Sequence, residues 1–182
     1  LKKIAKENNT DIKFFKSDLL EENSYLEAMD GCQIVFHTAS PFSLKLKPHA
    51  LVDPALKGTA NVLNSVNKTS SVKKVVLTSS CVAMIGNNID CAKAPNKIFN
   101  EDTWNSTSSI NHEPYSYSKT IAEREAWKMN QKQNNWKLVV INPSFVLGPH
   151  LGKESTSETH VIFNNFANGS MKSGCPTWEV GM

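Results

Sequence analysis

The chain has 182 residues, of which 40% are hydrophobic and 20% are charged, as is typical of a globular protein with a sizeable core. Its formal net charge of +3 and its scattered lysines exclude the dense basic surface of a nucleic-acid-binding protein. No apolar run reaches the roughly 20 residues that a membrane-spanning helix needs.

The cysteines are widely spaced and form neither a Cys-x-x-Cys pair nor a His/Cys cluster with metal spacing. We therefore expect free thiols, no metal site and a reducing compartment. Because no secretory signal is visible, this pattern indicates the cytoplasm. The cysteines are Cys32, Cys81, Cys91 and Cys175.

The beginning of the chain alternates helix and strand patterns. Residues 1–8 are predicted as the end of a helix, and residues 12–17 as a short strand. A second helix is predicted over residues 21–29, and Gly31 closes it because glycine accepts the left-handed C-terminal conformation. The run at residues 33–37 is apolar on both faces and predicts a strand of a parallel sheet.

Apolar residues keep helical spacing from Leu51 to Val66. Pro54 lies either in the first turn of this helix or inside a helix that begins earlier. A strand follows at residues 74–78. Strands that alternate with helices at these intervals predict right-handed crossovers and a doubly wound parallel α/β sheet.

Residues 81–113 are predicted as a long irregular loop, and such loops in compact domains are usually functional or mobile. A helix follows from about Tyr115 to Gln133, with Pro114 at its start. Its buried stripe is predicted to hold Ala122, Ala126 and Met129, and its solvated side Glu123, Arg124, Glu125 and Lys128. A strand at residues 137–141 and a helix at residues 156–172 complete the chain.

Polar and small residues follow several of the predicted strands. Asp18, the segment 38–41 and the segment 78–80 each come at the carboxyl end of a strand, and so does the loop 142–149. Ligands of parallel α/β sheets bind at that edge. The sequence therefore predicts one binding site to which these elements contribute.

Tyr115 and Lys119 lie four residues apart and thus on the same face of the predicted helix. An ammonium group beside a phenol lowers the pKa of the phenol, and such a pair can pass a proton to a carbonyl oxygen. The Tyr-x-x-x-Lys pattern alone is weak. With strand-end serines nearby, it indicates a carbonyl-reducing site.

These motifs resemble those of the extended short-chain dehydrogenase/reductases, in the branch of dihydroflavonol 4-reductase, cinnamoyl-CoA reductase and aldehyde or ketone reductases. The resemblance implies a Rossmann domain over residues 1–150 and the start of a smaller substrate domain at 151–182. The family's glycine-rich loop is absent, so we expect a fragment that binds cofactor poorly and is inactive alone. The matching segments are 17–20, 35–41, 57–63, 75–80, 101–104 and 115–127.

The resemblance assigns roles to three residues. Tyr115 would be the general acid that protonates the carbonyl oxygen. Lys119 would lower the pKa of Tyr115 and bind the nicotinamide ribose. Ser80 would hydrogen-bond the substrate oxygen, with Ser79 as the alternative.

The resemblance also implies a set of cofactor contacts. Asp18 and Leu19 would contact the adenine, although Asp18 could instead cap the helix at 21–29. The family suggests NADP, with NAD possible, because the residue that distinguishes them lies outside this chain. The further contacts are Thr38, Ala39, Ser40, Thr78, Tyr115, Lys119, Pro143, Ser144 and Val146; the proline loop could equally be a structural turn.

Other residues have weaker assignments. Phe42, Phe145 and His112 are predicted to border the substrate, and His37 is predicted as a buried core histidine. The predicted activity is NAD(P)H-dependent reduction of an aldehyde, ketone or dihydroflavonol-like carbonyl. A sugar-nucleotide epimerase and a non-catalytic dinucleotide-binding scaffold remain alternatives. We expect a small-molecule substrate, no nucleic-acid or membrane partner, and leave the oligomeric state open.

Overall fold

The computed structural model describes residues 1–40, 47–149 and 157–171. Contacts divide these residues into two units. One unit is Lys16–Ser144, and the other contains Leu1–Phe15 and the described residues from Phe145 onward. The helices are α1 (Lys2–Glu7), α2 (Leu26–Met29), α3 (Pro48–Lys68), α4 (Asn88–Lys93), α5 (Pro114–Gln131) and α6 (Glu158–Ala167); the strands are β1 (Ile34–His37), β2 (Lys74–Thr78) and β3 (Lys137–Ile141).

The unit Lys16–Ser144 is built on a parallel sheet with the strand order β1-β2-β3. Val35, Val75 and Leu138 lie opposite one another in this sheet. Helices α3 and α5 connect the strands and pack against each other. This arrangement confirms the predicted α/β fold of the Rossmann type, of which the described residues form three parallel strands.

The core lies between the sheet and helices α3 and α5. Side chains alternate across a strand, so Val75 and Leu77 both point into this core. The Trp136 indole N–H donates to Asn67 Oδ1 at 2.8 Å and thereby ties the start of β3 to α3. The core residues are Met29, Val62, Leu63, Val66, Val72, Val75, Leu77, Ala126, Trp136 and Leu138.

The opposite face of the sheet is open among the described residues. Ile34, Phe36, Val139 and Ile141 are all exposed there, and the exposed fraction of Phe36 is 69%. The strands are nevertheless apolar on both faces, as the sequence of a buried parallel sheet predicts.

The strand predicted at residues 12–17 is wrong, because no strand is assigned there. A strand forms only where its backbone N–H and C=O groups pair with those of a neighbouring strand. The sheet of the described residues consists of β1, β2 and β3, and residues 12–17 are not part of it.

The helix predicted over residues 21–29 is shorter than expected, because only α2 is helical. Asn23 has a left-handed backbone with φ 65°, which interrupts the helix before α2 begins. Gly31 has φ 72° and ends this segment as predicted. Pro54 lies inside α3, which begins at Pro48. Of the two predicted alternatives, the helix that begins before Pro54 is therefore the one observed.

The region 81–113 is more ordered than predicted. It contains α4 and short 3₁₀ turns at Cys81–Ala83 and Pro95–Lys97. Asn105 is buried and donates from Nδ2 to the Val82 carbonyl at 2.8 Å, which ties the later part of this region to its first 3₁₀ turn. The predicted starts of α5 and β3 are confirmed, whereas α6 is shorter than the predicted helix at 156–172. None of the described helices is long and apolar enough to cross a membrane.

Candidate active site

The strand-end serines and the Tyr-Lys pair belong to the same unit and meet at the carboxyl edge of the sheet. Ser80 follows β2, and Tyr115 and Lys119 occupy the first two turns of α5. Glu113 adopts a left-handed backbone with φ 53° and ψ 57°, and Pro114 then begins the helix. The turn at Glu113 thus places Tyr115 in the first turn of α5.

Tyr115 makes a side-chain hydrogen bond with Ser80. The structure therefore brings Ser80, rather than the alternative Ser79, to the phenol. Burial raises the pKa of Tyr115, the hydrogen bond with Ser80 opposes that rise, and Cys81 adds to it, so the net pKa is above the ordinary value. Burial outweighs the hydrogen bond with Ser80, and the lowering of the Tyr115 pKa by Lys119 stays a prediction.

Lys119 is buried to an unusual degree for a lysine, with an exposed fraction of 8%. Its Nζ atom lies 5.8 Å from the centroid of the Tyr115 ring. Burial lowers the pKa of Lys119 to about 8. The ammonium is thus held near its titration point, beside the phenol that it is predicted to assist.

His37, at the end of β1, is buried as predicted for a core histidine. Burial first, and the charge of Lys119 second, lower the pKa of His37 to about 4. A small cavity of about 10 Å³ lies between His37, Ser79 and Lys119, with Thr59 of α3 also lining it. The imidazole is therefore neutral at neutral pH, so it adds no second positive charge beside the Lys119 ammonium.

Glu123 was predicted on the solvated side of α5, and this prediction is wrong: its exposed fraction is 7%. It lies four residues after Lys119, on the face that points to the site. Its carboxylate accepts hydrogen bonds from Asn142 Nδ2 at 2.8 Å and from the Trp127 indole N–H at 3.3 Å. Buried charge of this kind is kept where donors satisfy it.

Asn142, which the sequence did not single out, follows β3 and contacts the site from the other side. Its Nδ2 also donates to the main-chain carbonyl of Ser80 at 3.0 Å. The same side chain therefore joins Ser80 to Glu123 on α5. The only sequence signal is its position directly after a strand, at the ligand-binding edge of the sheet.

Asp18 and Leu19 lie in a turn before α2. Asp18 Oδ1 accepts the main-chain N–H of Leu20 at 2.8 Å, and its carboxylate is exposed. Asp18 does not cap a helix at 21–29, because α2 begins only at Leu26. The Leu19 carbonyl accepts Asn61 Nδ2 at 2.9 Å, and a Cβ at Gly58 would lie 3.1 Å from the Leu19 side chain. Leu19 is thus held closely against α3.

The other predicted cofactor contacts fall in several places. Thr38 and Ala39 are exposed, and Ser40 and Thr78 line the same small cavity as Lys119. The Pro143 carbonyl accepts the Cys81 N–H at 3.0 Å, so the proline loop is structural as well as adjacent to the site, and Ser144 beside it is exposed. Val146 belongs to the other unit, and its contact with cofactor stays a prediction.

Of the three residues predicted to border a substrate, only His112 lies among the described residues of the unit that holds Tyr115. His112 shares a hydrogen bond of 3.0 Å with Asn87 at the surface. Phe145 belongs to the other unit, and Phe42 lies outside the described residues. Their contact with a substrate stays a prediction.

The donor set at the sheet edge fits the ribose end of a nicotinamide dinucleotide. Lys119 offers ammonium N–H donors, and exposed strand-end backbone at Thr38 and Ala39 leaves room for a ligand. The Ser79 hydroxyl is buried without a hydrogen-bond partner among the described residues. An orphaned hydroxyl beside an ammonium suits a ligand rich in hydroxyl groups.

A parallel sheet with α3 and α5 on one face, and polar side chains gathered at its carboxyl edge, defines an α/β protein of the Rossmann type. The chain matches the model of the NAD dependent epimerase/dehydratase family over residues 2–181, and it belongs to that family.

Similar proteins are plant and yeast reductases. The chain is 44% identical over 158 residues to cinnamoyl-CoA reductase CAD2 of Medicago truncatula, covering 84% of this chain and 47% of the relative. It is 41% identical to tetraketide alpha-pyrone reductase 2 of Arabidopsis thaliana, covering 93% and 53%. The structure of Gre2 from Candida albicans in complex with NADPH superimposes with a TM-score of 0.73 at 27% identity, covering 90% and 53%. The chain thus spans about half the length of the relatives it matches.

Proposed function

We propose that the full-length protein is an NADPH-dependent reductase that converts a carbonyl group to an alcohol. The observation that carries this proposal is the hydrogen bond between Tyr115 and Ser80, with Lys119 Nζ 5.8 Å from the phenol ring. A hydroxyl pair beside an ammonium suits the oxygen of a carbonyl that gains negative charge during reduction.

Each residue of this set has a distinct task. Ser80 donates a hydrogen bond to the carbonyl oxygen and holds it against Tyr115. Tyr115 gives its proton to that oxygen as negative charge develops there. Lys119 keeps positive charge beside the phenol, which stabilises the tyrosinate left behind. A bound dinucleotide would supply the hydride to the carbonyl carbon, and Tyr115 would supply the proton to its oxygen.

The pKa of Tyr115 determines whether the phenol carries the proton that reduction needs. Burial raises this pKa, and the hydrogen bond with Ser80 opposes the rise without cancelling it. A phenol with a high pKa stays protonated throughout the neutral range. The proton that reduction requires is therefore on the phenol at neutral pH, and the nearby positive charge of Lys119 favours its release.

NADP is the proposed cofactor, with NAD as the alternative. Candida albicans Gre2, whose structure contains NADPH, shares this fold. On this chain we assign the adenine contact to Asp18 and Leu19 and the ribose contact to Lys119. We assign the remaining cofactor contacts to Thr38, Ala39, Ser40, Thr78, Pro143, Ser144 and Val146.

The relatives' names suggest the substrate class. Cinnamoyl-CoA reductase and tetraketide alpha-pyrone reductase are both named for compounds with carbonyl groups. We propose an aldehyde, ketone or dihydroflavonol-like substrate. We also propose a cytoplasmic location, which the free cysteines among the described residues, Cys32, Cys81 and Cys91, support.

A sugar-nucleotide epimerase is the second candidate, because the family model includes epimerases and the Ser, Tyr and Lys set serves both reactions. Dehydratase chemistry is disfavoured, since Thr78 is followed by Ser79 and Ser80 rather than by an acidic pair. A non-catalytic scaffold is disfavoured, because binding alone does not require a buried lysine beside a tyrosine.

The test is NADPH consumption by the full-length protein with a panel of aldehydes, ketones and aromatic CoA thioesters. Reductase function predicts stoichiometric loss of NADPH and appearance of the reduced product. An epimerase would instead interconvert UDP-sugars with no net change in dinucleotide. Absence of both reactions, with dinucleotide still bound, would point to the scaffold.

A further inference from the structure

We propose that Asn142 and Glu123 are positioning residues that fix Ser80 against Tyr115. This inference rests on the proposed function, because Ser80 and Tyr115 are the pair that handles the carbonyl oxygen. The hydrogen bonds of Asn142 reach the Ser80 carbonyl and the Glu123 carboxylate. They act on the main chain of Ser80 and on the helix that carries Tyr115.

The first step in the argument is the way in which the loops after β2 and β3 stay together. The Ser79 N–H donates to the Ile141 carbonyl at 2.8 Å, and the Cys81 N–H donates to the Pro143 carbonyl at 3.0 Å. Between two parallel strands, N–H groups from one strand and from the other donate alternately to carbonyls across the gap. In this register the N–H of residue 143 would donate to the Ser79 carbonyl, but residue 143 is a proline and has no N–H.

The Asn142 side chain adds a donor one residue further along, at the Ser80 carbonyl. Its Nδ2 donates to the Ser80 carbonyl at 3.0 Å. The main chain around Ser80 is thereby held at three successive points, from the Ser79 N–H to the Cys81 N–H. A shift of Ser80 would break at least one of these hydrogen bonds.

The second N–H of the Asn142 carboxamide holds α5, the helix that carries Tyr115. Asn142 Nδ2 donates to Glu123 Oε2 at 2.8 Å. Both partners of this nitrogen are oxygen acceptors, so the carboxamide is oriented with its nitrogen toward them. The chain of contacts runs from the Ser80 main chain through one nitrogen atom to α5.

Glu123 lies two helical turns after Tyr115 and one turn after Lys119, on the same face of α5. Its other oxygen accepts the Trp127 indole N–H at 3.3 Å. The carboxylate is therefore oriented by donors on both sides. Because a helix is rigid over two turns, holding Glu123 also holds the rotation and height of Tyr115 relative to Ser80.

The decisive experiment is a double-mutant cycle with Asn142→Asp and Ser80→Ala in the full-length protein. Aspartate keeps the shape of Asn142 but presents oxygens to two oxygen acceptors. We expect Asn142→Asp to lower kcat on the order of 10- to 100-fold, as small misplacements of reacting groups do, while the Kd for NADPH stays within about twofold. In the Ser80→Ala background the same change should have almost no further effect.

Two further variants separate positioning from folding. Asn130→Asp is the matched control, because Asn130 Nδ2 also donates from α5 to a main-chain carbonyl, that of Trp136, at 3.1 Å and away from the site. It should leave kcat unchanged. Glu123→Gln keeps an acceptor for Asn142 and should retain more activity than Glu123→Ala. Equal and additive losses in both backgrounds of the cycle would overturn the proposal.

A readout without turnover keeps the inference independent of the reductase assignment. The Tyr115 phenol can be titrated by NMR of labelled tyrosine, with Tyr115→Phe to assign its signal. Since the hydrogen bond with Ser80 opposes the rise in its pKa, both Ser80→Ala and Asn142→Asp should move the titration to higher pH. A shift in Ser80→Ala without one in Asn142→Asp would overturn the inference, even if the protein reduced no carbonyl.

Discussion

Lys119 Nζ lies 5.8 Å from the centroid of the Tyr115 ring, and both residues are held on one face of α5. The ammonium has an exposed fraction of only 8%, and burial lowers its pKa to about 8. A lysine kept in this position weakens the fold at neutral pH, because burial disfavours the charged form. Such a cost indicates a functional requirement for the charge.

Replacing Lys119 by methionine should therefore stabilise the full-length protein at pH 7 while weakening cofactor binding. The folded-state pKa of about 8 lies below the ordinary 10.5, so the unfolded chain binds the proton more tightly. We expect the free energy of unfolding to rise by up to about 3 kcal/mol at pH 7, measured by urea denaturation. The Kd for NADPH should increase in the same variant.

The pH dependence of the stabilisation in Lys119→Met tests whether burial of the ammonium causes it. Wild-type stability should itself rise between pH 8 and 10.5, where the folded protein has lost the proton that the unfolded chain keeps. The advantage of Lys119→Met should accordingly shrink over that range. Lys128→Met, at an exposed position of the same helix, serves as control and should change stability by less than about 0.5 kcal/mol. A stability loss in Lys119→Met would refute the account of its burial.

His37 should make the protein less stable as the pH falls from about 6.5 to about 4. Burial, with the charge of Lys119 adding to it, lowers the pKa of His37 to about 4, so the unfolded chain takes up the proton first. The contribution is about 3 kcal/mol over that range. His37→Gln cannot titrate, and its unfolding free energy should depend less on pH between these limits.

The pH dependence of the free energy of unfolding below about pH 4 has a different origin, the ionisation of Asp90. Burial would raise the pKa of Asp90, but hydrogen bonds from Thr107, Asn87 and Gly86 lower it below the ordinary value. Asp90 thus stabilises the fold above the unfolded pKa and loses this effect as the pH falls further. Asp90→Asn should lower the free energy of unfolding above about pH 4, lose the pH dependence that Asp90 causes below that pH, and leave the slope over the His37 range unchanged. Parallel pH curves for wild type and His37→Gln would contradict the assignment to His37.

Gly58→Ala should separate cofactor binding from stability. A Cβ at this position would lie 3.1 Å from Leu19 Cδ2, so the leucine must move by a few tenths of an ångström. Alanine is the better helix former by about 1 kcal/mol, which offsets the crowding. We expect nearly unchanged stability and an NADPH Kd weaker by about fivefold, equivalent to about 1 kcal/mol.

The control for that variant is Ala60→Gly, at a position of α3 that lines the groove between α3 and α5. It should lower helix stability by about 1 kcal/mol and leave the NADPH Kd unchanged. Unaltered affinity in Gly58→Ala, measured by isothermal titration calorimetry, would mean that Leu19 does not contact the adenine.

Much of the fold could be predicted from the sequence, because hydrophobic runs bounded by turn residues mark the strands strongly. β2 and β3 begin and end at the predicted residues. The segment 12–17 has the same local pattern but is not a strand, since strand formation depends on a partner and not on the segment alone. Asn23 interrupts the predicted helix through a backbone conformation that no side-chain pattern reveals.

The candidate site was less predictable than the fold. The spacing of Tyr115 and Lys119 pointed to their shared face, and the same spacing extended by one turn reaches Glu123. Glu123 was nevertheless assigned to solvent because it is charged. The link from Asn142 to Ser80 joins positions 62 residues apart through a side chain and a carbonyl, and no sequence period encodes such a contact.

The most direct test of the central claim is the rate of carbonyl reduction by Tyr115→Phe in the full-length protein. Phenylalanine keeps the ring beside Lys119 but has no proton to give. With a carbonyl compound that the wild type reduces, we predict a loss in kcat of about 10²–10⁴-fold, while the NADPH Kd stays within about twofold. A variant that reduces the same substrate at the wild-type rate would contradict the account.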